Sequence, residues 1–455
     1  MIRPTESSSS PKAPTSDFAT AGARPDFAPN YDLPRHRWYR FKEGFSAGLV
    51  SAFVAEYLPS RNGRLLDPFL GSGTTAVEGA RLGHSVVGIE TNPFMAFMAN
   101  VKTRDYTRAD SLEHAALQCL RQRSRSAAFI LPRDSTLVER KGLEKWLLNR
   151  TVATRFEQLR TAIAEITPPT VRDLLLLALL SSIEEVANAR KDGKCWRYKN
   201  NWCSLNFNAK SLDEAFTGQV LRYAEDIVAC PRLSGRATVF RGDARVKLGR
   251  IGPADQLYDG VLTSPPYLNS FDYTDIYRPE LLLLNFARNS TELRRIRFAT
   301  LRSHMQVAWK PSPPLDIPLL QRKIDAINSA ELWCGRIPEM INAYFVDLDQ
   351  IVEQCARRLK VGATAGFVVA DSAYCGVVIP VDLILSVIFE RRGFVTKKIT
   401  LFRWTLGNGH HQQRSIERLK EVMVIAEYKP SGRQLYSSRT TMYMQGKELR
   451  GGVSC

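Results

Sequence analysis

Five residues past the middle of the chain, Thr263-Ser264-Pro265-Pro266-Tyr267, combine groups that can hold an amino group for reaction. They end an apolar run, Tyr258 to Leu262, that reads as a strand. Each proline removes an N–H donor and fixes φ, so the strand's last carbonyls are left free and rigidly aimed. The hydroxyl of Ser264 and the flat ring of Tyr267 stand beside them. Acceptors of this kind suit an exocyclic amino group, and the ring suits stacking on the base that carries it. An ordinary strand-to-turn exit would explain the same five residues. Their meaning rests on the remainder of the chain.

A second set lies in RLLDPFLGSGTTAVEGARLGHSVVGIETNP, residues 64 to 93. Leu65 and Leu66 give a short buried strand, Gly71-Ser72-Gly73 a tight turn, and Thr74 to Leu82 a helix closed by Gly83. A further strand, Ser85 to Ile89, ends at an acid, Glu90. Strand, glycine turn, helix, strand and acid together are the layout of nucleoside binding on a doubly wound sheet. The glycines let the backbone approach the ligand, and the acid can take both ribose hydroxyls. Gly71-x-Gly73-x-x-Ala76 also satisfies the dinucleotide fingerprint, so a nicotinamide enzyme stays in view. A phosphate-cradling loop is excluded, because no Gly-Lys-Ser/Thr follows. Ala237 to Phe240 places another acid, Asp243, after another strand.

The elements that must position these residues follow in order. Residues 1–30 are rich in Ser, Pro, Thr and Ala and read as a disordered tail. His36 to Ser46 is an aromatic and basic lead into a helix over Ala47 to Tyr57. Residues 31–101 then form the cofactor half of a core. Residues 102–235 lose the strand signal and carry apolar residues at helical spacing over Leu112 to Leu120, Leu143 to Ile166 and Val171 to Ala187. This helical insertion ends its third helix in a basic, aromatic run with Arg190, Lys191, Lys194, Arg197 and Lys199 around Trp196 and Tyr198. A solvated loop is the plain reading, and a nucleic-acid contact the functional one. Residues 236–286 hold the catalytic strand, and 287–339 an irregular insertion with Arg288, Arg294, Arg295, Arg297 and Arg302. Residues 340–429 supply a helix over Ile341 to Leu359, a turn at Lys360-Val361-Gly362, a strand to Ala370 and a helix over Val381 to Glu390. Thr396 to Trp404 and Glu421 to Tyr428 pair antiparallel around a polar loop, and 430–455 is a tail.

The 455 residues have room for a full α/β domain of about 200–250 residues and one or two further modules. A formal charge of +17 points to a polyanionic partner, most simply nucleic acid. The eight cysteines form no CxxC pair and the six histidines show no ligand spacing, which argues against a structural metal and a disulfide framework and fits a reducing cytoplasm. The longest apolar run, Leu174 to Leu180, is too short to span a bilayer, and no signal peptide is expected.

These residues resemble a known family, the S-adenosylmethionine-dependent amino-methyltransferases of DNA. Asp67-Pro68-Phe69-Leu70-Gly71-Ser72-Gly73-Thr74-Thr75 is similar to its cofactor motif, Glu90-Thr91-Asn92-Pro93 to its ribose motif, and Thr263 to Tyr267 to its catalytic motif. Residues 36–46, with Phe45, resemble the motif that closes over the methionine end, and Asp243 the acid that meets the adenine. The resemblance covers 36–101, 237–285 and 340–428. It implies a doubly wound seven-stranded Rossmann-like sheet with its last strand antiparallel. S-adenosyl-L-methionine is the implied cofactor and double-stranded DNA the implied partner. The implied catalytic set is Ser264, Pro265, Pro266 and Tyr267. The cofactor set is Phe45, Asp67, Pro68, Phe69, Gly71, Ser72, Gly73, Thr74, Thr75, Glu90, Asn92 and Asp243, together with Ser264. The loop Thr405 to Lys420 would bring His410, His411 and Arg414 over the face of Ser264, as polar and nucleic-acid contacts rather than metal ligands. The motif order departs from the group that shares the cofactor spelling, where the catalytic motif comes first. Either insertion can therefore carry target recognition. A cognate restriction endonuclease is a partner the family allows, and the oligomeric state stays open.

The expected chemistry is direct transfer. Acceptors at Ser264 and the Pro265 carbonyl would hold the amino hydrogens and turn the nitrogen lone pair toward the sulfonium methyl. The chain has no Pro-Cys dipeptide, which a carbon-5 cytosine methylase would need for its nucleophile. Ser before Pro-Pro-Tyr resembles cytosine-N4 enzymes, with adenine-N6 as the alternative. An RNA methyltransferase shares the chemistry but lacks a recognisable RNA-binding module here. A nicotinamide oxidoreductase leaves Ser-Pro-Pro-Tyr unexplained, and a non-catalytic DNA-binding protein leaves both motifs unexplained.

Overall fold

A computed structural model of the chain describes residues 23–59, 61–122, 135–193, 195–253, 255–306, 309–330, 332, 334–405 and 418–431. Seven strands form one sheet: β1 (Arg64–Asp67), β2 (Ser85–Glu90), β3 (Arg236–Arg241), β4 (Tyr258–Thr263), β5 (Leu359–Ala370), β6 (Phe394–Thr405) and β7 (Leu419–Tyr428). Their order across the sheet is β6-β7-β5-β4-β1-β2-β3. The pairs β1–β2, β1–β4, β2–β3 and β4–β5 are parallel, and β7 runs antiparallel to both β5 and β6. This is the doubly wound Rossmann-like methyltransferase sheet, with the last strand reversed. The turn expected at 360–362 is absorbed into β5 instead. Register shifts by a bulge between Tyr258 and Gly260, and Gly362 takes a φ of 85° there.

One face of the sheet packs against the helices Ile337–Ala356 and Val381–Arg391, through residues such as Phe345, Ile351, Phe367 and Phe389. The other face meets helix α1 (Ala47–Tyr57), whose Leu49, Val50 and Phe53 are fully buried against Leu65, Leu262 and Val368. Helix α2 (Thr74–Arg81) leaves β1 through the glycine turn, and helix α3 (Pro93–Thr103) is capped by Asn92.

The helical insertion shares a core with its surroundings. Its helices Ala109–Arg121, Arg150–Ala164, Pro169–Ser181 and Ala209–Ala229 bury Leu112, Phe156, Leu177 and Phe216 together with Trp38, Phe94, Met98 and Tyr277. The helix expected from Leu143 begins only at Arg150, and the long helix Ala209–Ala229 starts at a capping box on Asn208. Arg35 clamps the insertion's two ends. Its guanidinium donates to the carbonyls of Lys102, Arg104, Cys230 and Pro231 at 2.7–3.0 Å while fully buried. The second insertion is less irregular than expected, since Ser290–Ala299 and Pro318–Asn328 are helical.

Candidate active site

The parallel strands end on one edge, and their order sets the row of acids there. Asp243 follows β3, Glu90 closes β2, Asp67 closes β1 and Ser264 follows β4. A solvent-open cleft of about 1010 Å³ runs along that edge. Its lining includes Phe45, Asp67, Pro68, Phe69, Gly71, Ser72, Thr74, Thr75, Glu90, Asn92, Asp243, Ser264 and Pro266. Gly73, Pro265 and Tyr267 stand outside the lining.

The turn after β1 shows why glycine is placed there. Gly73 sits at φ 88°, and a Cβ on it would lie 2.9 Å from the Ala99 Cβ of helix α3. Gly71 sits at φ 54° and gives its N–H to Glu90 Oε2 at 2.8 Å. Glu90 Oε1 accepts from Asn92 N at 2.7 Å, so the carboxylate is fixed at both oxygens. Burial pushes the Glu90 carboxyl up to about 7, against the pull of those N–H groups. Asp67 accepts from Thr263 Oγ1 at 2.6 Å and Phe69 N at 3.0 Å, and burial pushes it up to about 6. That bond ties the cofactor-motif strand to the strand that delivers Ser264.

Asp243 is engaged already. Both its oxygens accept from Arg245, whose guanidinium also reaches Asp347 at 2.8 Å and the Thr300 carbonyl at 3.2 Å. Arg302 pairs with the same Asp347. These ion pairs dock the segment 299–304 against the cleft, where Thr300, Leu301, Ser303 and His304 complete the wall. Ser303 accepts through its carbonyl from Ser270 N at 3.0 Å, linking that wall to the loop after Tyr267. Sequence reasoning missed this segment because it is irregular and far in the chain from β2 and β3. The arginine and the aspartate that dock it give no local pattern.

Tyr267 is anchored rather than free. Its hydroxyl donates to Glu421 Oε1 at 2.7 Å, and Arg403 pairs with the other oxygen of Glu421. Burial first, and then the neighbouring Glu421, holds the phenol well above its ordinary pKa, so it remains a donor. Glu421 is a buried acid near the start of β7, next to Lys420 and just before the apolar run that follows, a position that sequence reading passed over.

The basic run of the first insertion is corrected by the structure. It folds as a hairpin, Ala189–Lys191 against Trp196–Tyr198. Lys191 faces inward, 2.5 Å from Glu280 and over the rings of Tyr39, Trp196 and Tyr277. It is buried and cannot meet a nucleic acid. Strand alternation explains this, since Lys191 takes the inward side that Arg190 does not. Lys199 donates to the carbonyls of Glu184 and Glu185 at 3.1 Å, ending a short helix. Arg190 is exposed, and Arg197 is exposed but paired with Asp192. In the second insertion Arg288, Arg297 and Arg302 pair with acids, while Arg294 and Arg295 are exposed. Lys194, His410, His411 and Arg414 lie outside the described residues.

No family model matches the chain. The chain is similar over most of its length to Type II methyltransferases. M.AvaI of Nostoc sp. (strain PCC 7120 / SAG 25.82 / UTEX 2576) is 27% identical over 417 residues, covering 85% of this chain and 84% of that protein. M.BsoBI of Geobacillus stearothermophilus is 26% identical, covering 84% and 83%. M.MvaI of Kocuria varians is 22% identical, covering 78% and 81%. Each of these alignments covers more than three quarters of the chain, so the likeness is not confined to one half of it.

Proposed function

We propose that the chain is an S-adenosylmethionine-dependent DNA methyltransferase acting on the exocyclic amino group of a flipped base, cytosine N4. The observation that carries this reading is one cleft shared by Ser264 and Pro266 on β4's exit and by Asp67, Gly71 and Glu90 on β1 and β2. The similarity to Type II methyltransferases supports it independently.

The donor set fits a cationic cofactor better than a dinucleotide. Among the described residues, the cleft lining holds four carboxylates, Glu43, Asp67, Glu90 and Asp243, against one guanidinium, Arg245, already paired. Among those residues a dinucleotide's diphosphate would meet acids and no free cation. Glu90 presents two fixed oxygens to a pair of ribose hydroxyls. S-adenosylmethionine supplies an electrophilic methyl group when bound. The chain's part is to place the amino nitrogen: Ser264 and the Pro265 carbonyl accept its hydrogens, and Tyr267 stacks on the base. The Asp67–Thr263 bond keeps those acceptors in register with the cofactor turn. Arg190, Arg197, Arg294 and Arg295 are the exposed cations assigned to the phosphate backbone, and Lys191 is not among them.

Incubating the purified chain with methyl-labelled S-adenosylmethionine should transfer label to duplex DNA, and Ser264→Ala should lose most of it. Label passing to RNA but not DNA, or to neither, would overturn the reading.

A further inference from the structure

Tyr267 and the acid that holds it come from strands that are not neighbours. Tyr267 follows β4, whereas Glu421 lies near the start of β7, and β5 runs between the two. The Tyr267 hydroxyl donates to Glu421 Oε1 at 2.7 Å, and the Arg403 guanidinium of β6 pairs with Oε2. A bulge makes that pairing possible. Leu401 stands opposite Val422 and Arg403 opposite Glu421, so Phe402 is the extra residue in β6. Without the bulge Phe402 would oppose Glu421, and directly opposite residues of an antiparallel pair share a face.

The pair is braced from outside as well. Arg403 Nη1 reaches Asp26 Oδ2 at 3.4 Å, and Asp26 also accepts from Arg24 Nη2 at 3.0 Å and Ala28 N at 3.2 Å. Arg24 in turn exchanges two bonds with Ser46, the residue that caps α1. Residues 24–28 fall in the stretch that reads as a tail in the sequence. In the fold they hold the outer end of a chain of contacts that begins at Tyr267. Glu421 is only 3% exposed, and a carboxylate so buried is costly unless it is paired. The phenol satisfies one oxygen and the guanidinium the other, so the acid has no freedom of its own.

We infer that Glu421, fixed by Arg403, is a positioning residue for methyl transfer: it sets the direction of the Tyr267 ring and with it the seat of the stacked base. This deepens the reading above and rests on it. The hydroxyl lies on the long axis of the ring, so a bond at Oη stops the ring swinging about the Cα–Cβ bond. A swinging ring would let the amino nitrogen leave its line to the methyl group, which costs rate. Cofactor affinity is separate, because Tyr267 stands outside the cleft lining.

The test is a double-mutant cycle on the full chain, read as single-turnover transfer of methyl label to duplex DNA at saturating S-adenosylmethionine. Tyr267→Phe keeps the ring and removes its anchor, and Glu421→Leu removes the acceptor. Each should slow transfer by about tenfold. The double variant should be no slower than the slower single one, because the same contact is cut twice. Glu421→Gln keeps an oxygen for the phenol and should stay within about threefold of wild type. S-adenosylhomocysteine, measured by calorimetry, should bind every variant within about twofold of wild type. The inference fails if Tyr267→Phe transfers at the wild-type rate, a result that does not depend on whether Glu421→Leu folds. It also fails if the two losses multiply to about a hundredfold, since Glu421 then acts without Tyr267. Wild-type chain that passes no label to DNA would overturn the functional reading itself.

Discussion

Glu90 is where a single residue makes the account testable. Unfolded, its carboxyl titrates near 4.5; folded, burial pushes it up to about 7. The raised value means its contribution to folding stability is fully present below 4.5 and is lost as pH climbs through about 7. Hydroxyls donating to the carboxylate favour its charged form. Cofactor binding should therefore release protons and tighten as pH rises across that window. Asp67, pushed up to about 6, faces the same cleft and releases in the lower part. Calorimetry in buffers of different ionisation heat should show the release, and Glu90→Gln should remove its upper part. Glu90→Gln should also weaken binding by about 1–3 kcal/mol. At the other end of the site, Tyr267→Ala should lose about 1–3 kcal/mol of stacking on the base. Cofactor affinity should change little, because Tyr267 stands outside the cleft lining. Fluorescence titration with DNA carrying an abasic site opposite the target position separates the two effects.

Elements whose signals are local were legible in the sequence. The run from Leu65 to Glu90 gave strand, turn, helix and strand because Gly71, Gly73 and Gly83 mark each change of direction within a few residues. Lys191 was misplaced for the opposite reason. Its partners Glu280, Tyr39 and Tyr277 come from two distant segments, and no local pattern announces them. The 299–304 wall was invisible on the same grounds. Arg35 belongs with these long-range residues, and it gives the element-scale prediction. Replacing it with Met would take the donor from the buried carbonyl of Lys102 and from the part-buried carbonyls of Arg104, Cys230 and Pro231. The variant should lose about 1–3 kcal/mol of stability in urea unfolding, the cost of an orphaned buried acceptor. A loss under about 1 kcal/mol would show that the insertion's ends hold together without the clamp.

At the scale of the molecule, the +17 charge has to be divided between internal pairs and a free face. Many of the arginines in the two insertions are paired with acids, and the exposed remainder carries the DNA contact in this account. Reversing Arg190, Arg294 and Arg295 should weaken binding to duplex DNA and flatten its dependence on salt by about one unit of slope per lost phosphate contact. Filter binding across a salt series measures this, and an unchanged slope would place the DNA face elsewhere. The central claim is that the cleft methylates an amino nitrogen, with no covalent intermediate. DNA treated with the chain and S-adenosylmethionine can be digested to nucleosides and read by mass spectrometry. The account predicts N4-methylcytosine. N6-methyladenine would keep the chemistry and correct the base, whereas 5-methylcytosine, or DNA left unmodified, would contradict the account.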